Sequence, residues 1–168
     1  MIGILLVNLG TPEAPTTPAV RRYLREFLSD PRVVEIPRVL WWPILNGPIL
    51  LTRPARSARA YRSIWLDEGS PLLVHSQNLA AGLQQQYDSR QPGTVLVRLA
   101  MRYGQPSVAT GLRALRDAGC EKIVVVPLYP QYSATTTAAI FDAVSAELRS
   151  WRNLPELVFL RDWHQHPR

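Results

Sequence analysis

The sequence has almost no lysine. Lys122 stands alone among 19 lysine and arginine residues, so arginine carries the formal charge of +6 and the pI near 10.1. Arginine suits planar, bidentate recognition of carboxylates and phosphates. The basic excess fits nucleic acid, anionic lipid or an acidic small molecule, and it is too scattered to choose among them. Cysteine is just as scarce, with Cys120 the only one. A lone thiol excludes a disulfide-stapled fold, and its place just before an apolar run reads as a small buried side chain. No run of about 20 uninterrupted apolar residues occurs, which argues against a spanning helix. The apolar start, residues 1–9, lacks a basic leader and a small-residue cleavage site. It reads as a first strand rather than a signal peptide. Neither G-x-G-x-x-G nor G-x-x-x-x-G-K-[ST] is present, which disfavours a standard dinucleotide or P-loop site.

What is present suffices for one buried domain: 168 residues, 46% hydrophobic and 19% charged. Residues 2–8 form an apolar run ended by Gly10, Thr11 and Pro12, a buried strand followed by a turn. Thr16, Thr17 and Pro18 supply a cap and a first-turn proline for a helix reaching about residue 29. Val20, Tyr23, Leu24, Phe27 and Leu28 share one face of it. Residues 36–51 read I-P-R-V-L-W-W-P-I-L-N-G-P-I-L-L, and their prolines forbid one long helix. Two readings compete: a covered loop packed on the core, or an exposed apolar lip for a membrane surface or a greasy ligand. The patch size favours the lip. Arg53, Arg56, Arg59 and Arg62 then fall on neighbouring turns of a helix over residues 52–65. They form either a solvated basic face or, at Arg53, a greeting for an anionic group.

A helix over residues 70–87 carries His75, a lone histidine that reads as structural. Residues 94–101 read as a strand ending in Arg102-Tyr103-Gly104. A helix over residues 106–118 stops at Gly119. The central stretch is residues 124–139, V-V-V-P-L-Y-P-Q-Y-S-A-T-T-T-A-A. It reads as the carboxyl end of a buried strand feeding a helix N-terminus, with aromatic side chains at the mouth. Ligands of open α/β sheets bind at that edge, although an ordinary strand, loop and capped helix explains the same pattern. A last strand covers residues 157–160, and the tail holds His164 and His166, a poor metal site by themselves. Strands alternating with helices predict an α/β fold with a parallel sheet of about four strands flanked by helices.

Four motifs resemble the ferrochelatase family, which inserts ferrous iron into a porphyrin to make haem. They are L-L-V-N-L-G-T-P at residues 5–12, Y-R-S-I-W-L-D-E-G-S-P-L at 61–72, M-R-Y-G at 101–104 and L-Y-P-Q-Y-S-A-T-T-T at 128–137. They stand in the family's order and spacing, in a form similar to its bacterial branch. The resemblance implies a Rossmann-like, chelatase-type half-domain over residues 1–160, including a lip at 36–51, with 161–168 starting the link to a second half. It implies porphyrin-binding roles for Leu9, Arg53, Tyr61, Ser70, Arg102, Tyr132 and Ser133. The family's metal-handling histidine and glutamate belong to the second half, so no catalytic or metal-binding residue is expected in this chain. Where the iron–sulfur version of the family has a cluster cysteine, this sequence has Ala134, so no cluster and no bound cofactor are implied.

The implied substrates are protoporphyrin IX and ferrous iron, with no nucleic-acid partner. A cytoplasmic location is expected, peripheral to the inner membrane through residues 36–51, with self-association through exposed apolar surface. Two other functions remain open. One is a half-size chelatase of the sirohydrochlorin type that dimerises, although the histidines here are poor candidates for its metal pair. The other is a non-catalytic α/β module for an anion or a membrane.

Overall fold

The computed structural model describes residues 1–166. The end of the expected link, residues 167–168, lies outside them. Its elements run β1 (Ile2–Gly10), α1 (Thr17–Leu28), α2 (Arg38–Ile44), α3 (Leu50–Ile64), α4 (Pro71–Arg90), β2 (Val95–Tyr103), α5 (Val108–Asp117), β3 (Lys122–Pro127), α6 (Ala139–Leu148) and β4 (Glu156–Phe159). A π-helical turn, Ala134–Ala138, leads directly into α6. The chain divides into two compact units: residues 1–9, 75–102 and 106 onward, and residues 10–74 with 103–105.

The first unit is the α/β fold that the alternating pattern predicts. Its four-stranded sheet has the order β2-β1-β3-β4, with β1 parallel to β3 and β3 parallel to β4. Strand periodicity of two sends alternate residues to opposite faces. Leu5 and Val7 of β1 join Ile123 and Val125 of β3 on one face, packed with Leu112 and Leu115 of α5 and Ile140 and Val144 of α6. Leu6 joins Val95 and Val97 on the other, against Leu83 and Tyr87 of α4. Both faces of the middle strands are covered, which explains their nearly continuous apolar runs. Helix α5 lies close on β1 because residue 111 is glycine: a β-carbon there would stand 2.6 Å from Leu5 Cδ1 and 3.3 Å from Ala100 Cβ.

One buried charge belongs to this unit. Glu147 of α6 is 9% exposed and takes a bidentate pair of bonds from Arg113 of α5, at 2.7 and 2.9 Å. Trp151 Nε1 donates to the same carboxylate at 2.9 Å. The Arg113 guanidinium holds the Glu147 carboxyl below its ordinary range, against the opposing push of burial.

The second unit is helical. Val20, Tyr23, Leu24 and Leu28 of α1 are buried, as are Leu45, Leu50, Pro54 and Ala58. Gly10 enters it with φ of +116°, and a β-carbon there would lie 1.8 Å from the Tyr103 carbonyl oxygen. Within residues 36–51 the chain is helical from Arg38 onward rather than a loop. Pro43 sits inside the short α2, and the chain kinks at Gly47 (φ −86°, ψ −111°) before α3 begins. The prolines thus break one helix into two, and they leave the segment exposed rather than covered: Val39 is 85% exposed and Leu40 62%.

The caps depart from expectation. Thr16 and Ser133 occupy N-cap positions with extended backbone, yet neither side chain caps its helix. At Thr16 the backbone carbonyl accepts from Val20 N at 2.9 Å. At Ser133 the carbonyl accepts from Thr136 N and Ala138 N, each at 3.3 Å. At Ser133 the i→i+3 bond takes the Thr136 N–H, the donor that a capping hydroxyl would otherwise accept.

Two measurements bear on this packing. Gly10→Ala forces both a left-handed backbone and a clash with main chain, so it should cost about 3 kcal/mol or more in chemical denaturation. Because the folded pKa of Glu147 is lowered, its contribution is present above the ordinary carboxylate range and is lost as pH falls through the folded value. Wild-type thermal stability should therefore drop more steeply between about pH 5 and pH 3 than that of Glu147→Gln.

Candidate functional site

The carboxyl ends of the first unit's central strands bring Leu9, Arg102, Tyr132 and Ser133 to one edge of the sheet. Leu9 is the penultimate residue of β1, half-buried, and its N–H donates to Asn8 Oδ1 at 2.8 Å. Asn8 in turn donates from Nδ2 to Ser76 Oγ of α4 at 3.0 Å. Arg102, at the end of β2, is also half-buried, and its Nε donates to the Ala139 carbonyl at 2.7 Å. One face of its guanidinium fork therefore ties β2 to the start of α6.

Tyr132 is 46% exposed, and the Arg161 guanidinium lies 4.7 Å from its ring centroid. The Ser133 hydroxyl meets Thr135 Oγ1 at 3.0 Å. Thr137 lies two residues further on, 1% exposed, its hydroxyl without a hydrogen-bond partner among the described residues. The Tyr129 hydroxyl is likewise unpartnered there, and burial pushes it well above the ordinary phenol range. This edge is thus a rim of aromatic rings and hydroxyls.

Arg53, Tyr61 and Ser70 belong to the helical unit. Arg53 is exposed on α3 and lines an open depression of about 770 Å³ with Pro48, Ile49, Thr52, Arg56, Ser57 and Ala60. Arg53 and Arg56 stand one helical turn apart on it, suited to the two oxygens of a carboxylate or to two carboxylates. Tyr61 is half-buried and packs edge-to-face on Trp65, ring centroids 6.2 Å apart. Burial raises its hydroxyl pKa. Ser70 is 3% exposed and takes a 2.8 Å bond from the Thr11 hydroxyl, itself 5% exposed. Its side chain is thus turned into the packing of the unit. The lip adds Val39, Leu40, Trp42, Ile44 and Leu51, all exposed, while Trp41 Nε1 anchors to the Leu28 carbonyl at 2.8 Å.

Sequence reasoning missed several of these features. Asp30 falls just past the helix expected to reach about residue 29 and carried no signal of its own, yet it is 7% exposed and accepts the Tyr103 hydroxyl at 2.8 Å. Arg56 was visible in the basic row but carried no signal separating it from Arg59 and Arg62. Arg161 and Trp163 lie in a tail whose histidines drew the attention. His164 itself is exposed, with Nδ1 3.8 Å from Asp162 Oδ1.

A family model described as Ferrochelatase matches residues 1–168. Among curated proteins, the ferrochelatase of Azoarcus sp. strain BH72 is 60% identical over 165 residues, covering 98% of this chain and 45% of the relative. That of Methylococcus capsulatus strain Bath is 60% identical over 166 residues, covering 99% and 49%. That of Thioalkalivibrio sulfidiphilus is 57% identical over 164 residues, covering 98% and 44%. The chain spans slightly less than half the length of these curated relatives.

The Thr11–Ser70 pair separates a packing role for Ser70 from direct ligand contact. Ser70→Ala leaves a buried hydroxyl without its partner and should cost about 1–2 kcal/mol in urea unfolding, with Thr11→Val on the Ser70→Ala background restoring part of the loss. An unchanged unfolding midpoint in Ser70→Ala would show that the Thr11–Ser70 bond does not carry the packing of this unit.

Proposed function

The chain belongs to the ferrochelatase family, and on that premise we propose that it forms the porphyrin-binding part of an enzyme that inserts ferrous iron into protoporphyrin IX to give protohaem. The observation that carries this reading is the depression beside Arg53 and Arg56, next to an exposed apolar lip. A porphyrin is a flat apolar disc with two propionates on one side. An apolar rim with a pair of guanidinium forks matches that distribution of charge, and arginine grips a carboxylate in two places where lysine grips it in one. A volume of about 770 Å³ lies within the range that small-molecule sites occupy.

Metal insertion does more than bind the ring. As ferrous iron, a substrate, enters the macrocycle, two pyrrole N–H bonds break and two protons leave, so the reaction needs a base near neutral pH. The groups lining the depression are proline, isoleucine, threonine, arginine, serine and alanine side chains. None of them takes a proton in that range. Tyrosine and hydroxyl groups at the sheet edge do not either. In this reading the polypeptide supplies the slot and the anion grips, and the base comes from elsewhere in the full-length enzyme.

The lip supports a peripheral membrane contact as well. Trp42 is 49% exposed among exposed aliphatic side chains, and Arg38 and Arg53 border them. Such a patch dips into the headgroup region with its cations toward lipid phosphates. No helix among the described residues is long and apolar enough to cross a membrane.

Titrating protoporphyrin into the chain tests the reading. The expected result is a shift of the porphyrin Soret band on binding, with Arg53→Ala/Arg56→Ala weakening the affinity by about tenfold. The dimethyl ester of the porphyrin should be insensitive to that double substitution. With ferrous iron added, haem should not form at an enzymatic rate, and rapid haem formation would overturn the assignment of the base to another part of the enzyme.

A further inference from the structure

The tail after β4 folds back onto the loop after β3. Trp163 donates twice, from its backbone N–H to the Pro130 carbonyl at 2.9 Å and from its indole Nε1 to the Pro127 carbonyl at 3.0 Å. The His164 N–H shares the Pro130 carbonyl at 3.0 Å. Two residues before Trp163, Arg161 lays its guanidinium over the Tyr132 ring at 4.7 Å, while its Nη1 is held by Asp162 Oδ2 at 2.7 Å. The indole bond holds the end of β3 at Pro127, and the two main-chain bonds grip the loop beyond it, L-Y-P-Q-Y-S, whose first residue, Leu128, still bonds the Val7 carbonyl. The two proline carbonyls are open to such donors, because neither belongs to a helix or an interior strand position. The tail satisfies both and closes one face of the exposed tyrosine.

We propose that Arg161 and Trp163 are positioning residues for the porphyrin wall: the tail latches the loop so that Tyr132 and Ser133 are presented to the macrocycle in a fixed conformation. This deepens the porphyrin-binding reading and rests on it. A preorganised wall binds a rigid disc without first losing loop entropy, and releasing the latch returns that cost to the binding step. Arg161 acts through the ring of Tyr132, so its effect vanishes when the ring is removed. A guanidinium that bound a propionate directly would keep its effect in that background.

The test is a double-mutant cycle read by Soret titration of protoporphyrin. Arg161→Ala should weaken binding on the order of threefold, the worth of an exposed cation–aromatic contact, and Arg161→Lys should recover most of it. Trp163→Phe, which keeps the ring and removes the indole donor, should weaken binding by about fivefold. Tyr132→Leu should weaken binding, and adding Arg161→Ala to it should change nothing further. Arg161 is mostly exposed, so its replacement leaves the fold intact and its thermal midpoint unchanged. Full additivity of Arg161→Ala with Tyr132→Leu overturns the proposal, as does unchanged affinity in both Arg161→Ala and Trp163→Phe. Absence of any Soret shift in the wild-type chain overturns the porphyrin reading itself, and the positioning role with it.

Discussion

The carbonyl oxygen of Tyr103 lies where a β-carbon on Gly10 would stand, and the helical unit is arranged around that approach. Gly10 turns the chain through a positive φ, and its own carbonyl accepts the Tyr23 hydroxyl of α1 at 3.2 Å. The Tyr103 ring packs edge-to-face on Phe27, centroids 5.1 Å apart, and its hydroxyl donates to Asp30. Asp30 uses its other oxygen for the Arg32 N–H at 2.7 Å. A buried carboxylate without such donors is costly, so these bonds fix the geometry as well as stabilise it. The lip segment therefore leaves from a hydrogen-bonded root, with Trp41 tied to the Leu28 carbonyl at its base. Its exposed side chains are held outward by that anchoring.

The first unit builds its sheet edge by a different route. Parallel register places the carboxyl ends of β1, β2 and β3 together without any help from loops. The chain beyond β3 is then fixed by main-chain bonding: Leu128 N donates to the Val7 carbonyl at 2.8 Å, and Arg102 reaches the Ala139 carbonyl. The π turn before α6 belongs to the same logic. The Ser133 carbonyl accepts both the i→i+3 bond from Thr136 N and the i→i+5 bond from Ala138 N. The hydroxyls of Ser133 and Thr135 are thereby released from capping duty and meet each other instead.

Much of this was legible in the sequence, and the boundary of legibility has a physical cause. Periodicity puts Val20, Tyr23, Leu24 and Leu28 of α1 on one face, and all four are buried, because one apolar face per element is a local property. The strand edge at residues 124–139 was readable for the same reason. The lip was readable as exposed, since a patch that broken and that apolar is difficult to cover, but its helical form was not: proline spacing says where a helix cannot continue, not that a short helix and a longer one will flank a kink at Gly47. Asp30, Glu147 and the tail were invisible. Each draws its role from a partner distant in sequence (Tyr103, Arg113 and Pro130 respectively), and no local pattern marks such a pairing. Ser70 shows the converse. Its motif marks the position, but only the structure shows the hydroxyl turned toward Thr11.

The arginine-rich composition can now be divided. Several arginines act as planes or forks that an ammonium cannot replace: Arg113 bonds both oxygens of Glu147, Arg116 lies 5.0 Å over the Trp151 ring, and Arg161 covers Tyr132. Arg102 directs one N–H at a single carbonyl. The sole lysine does what a point charge does well, pairing with Glu156 at 2.7 Å across neighbouring strands β3 and β4. Scatter in the sequence thus hides two populations, one serving the packing of the sheet unit and one exposed on a helix. Along α3, Arg53, Arg56, Arg59 and Arg62 are all exposed, and the first two share a depression. Net charge therefore says little about where an anion could bind, whereas a pair of guanidinium groups one helical turn apart beside an apolar rim is a local feature that a carboxylate can read.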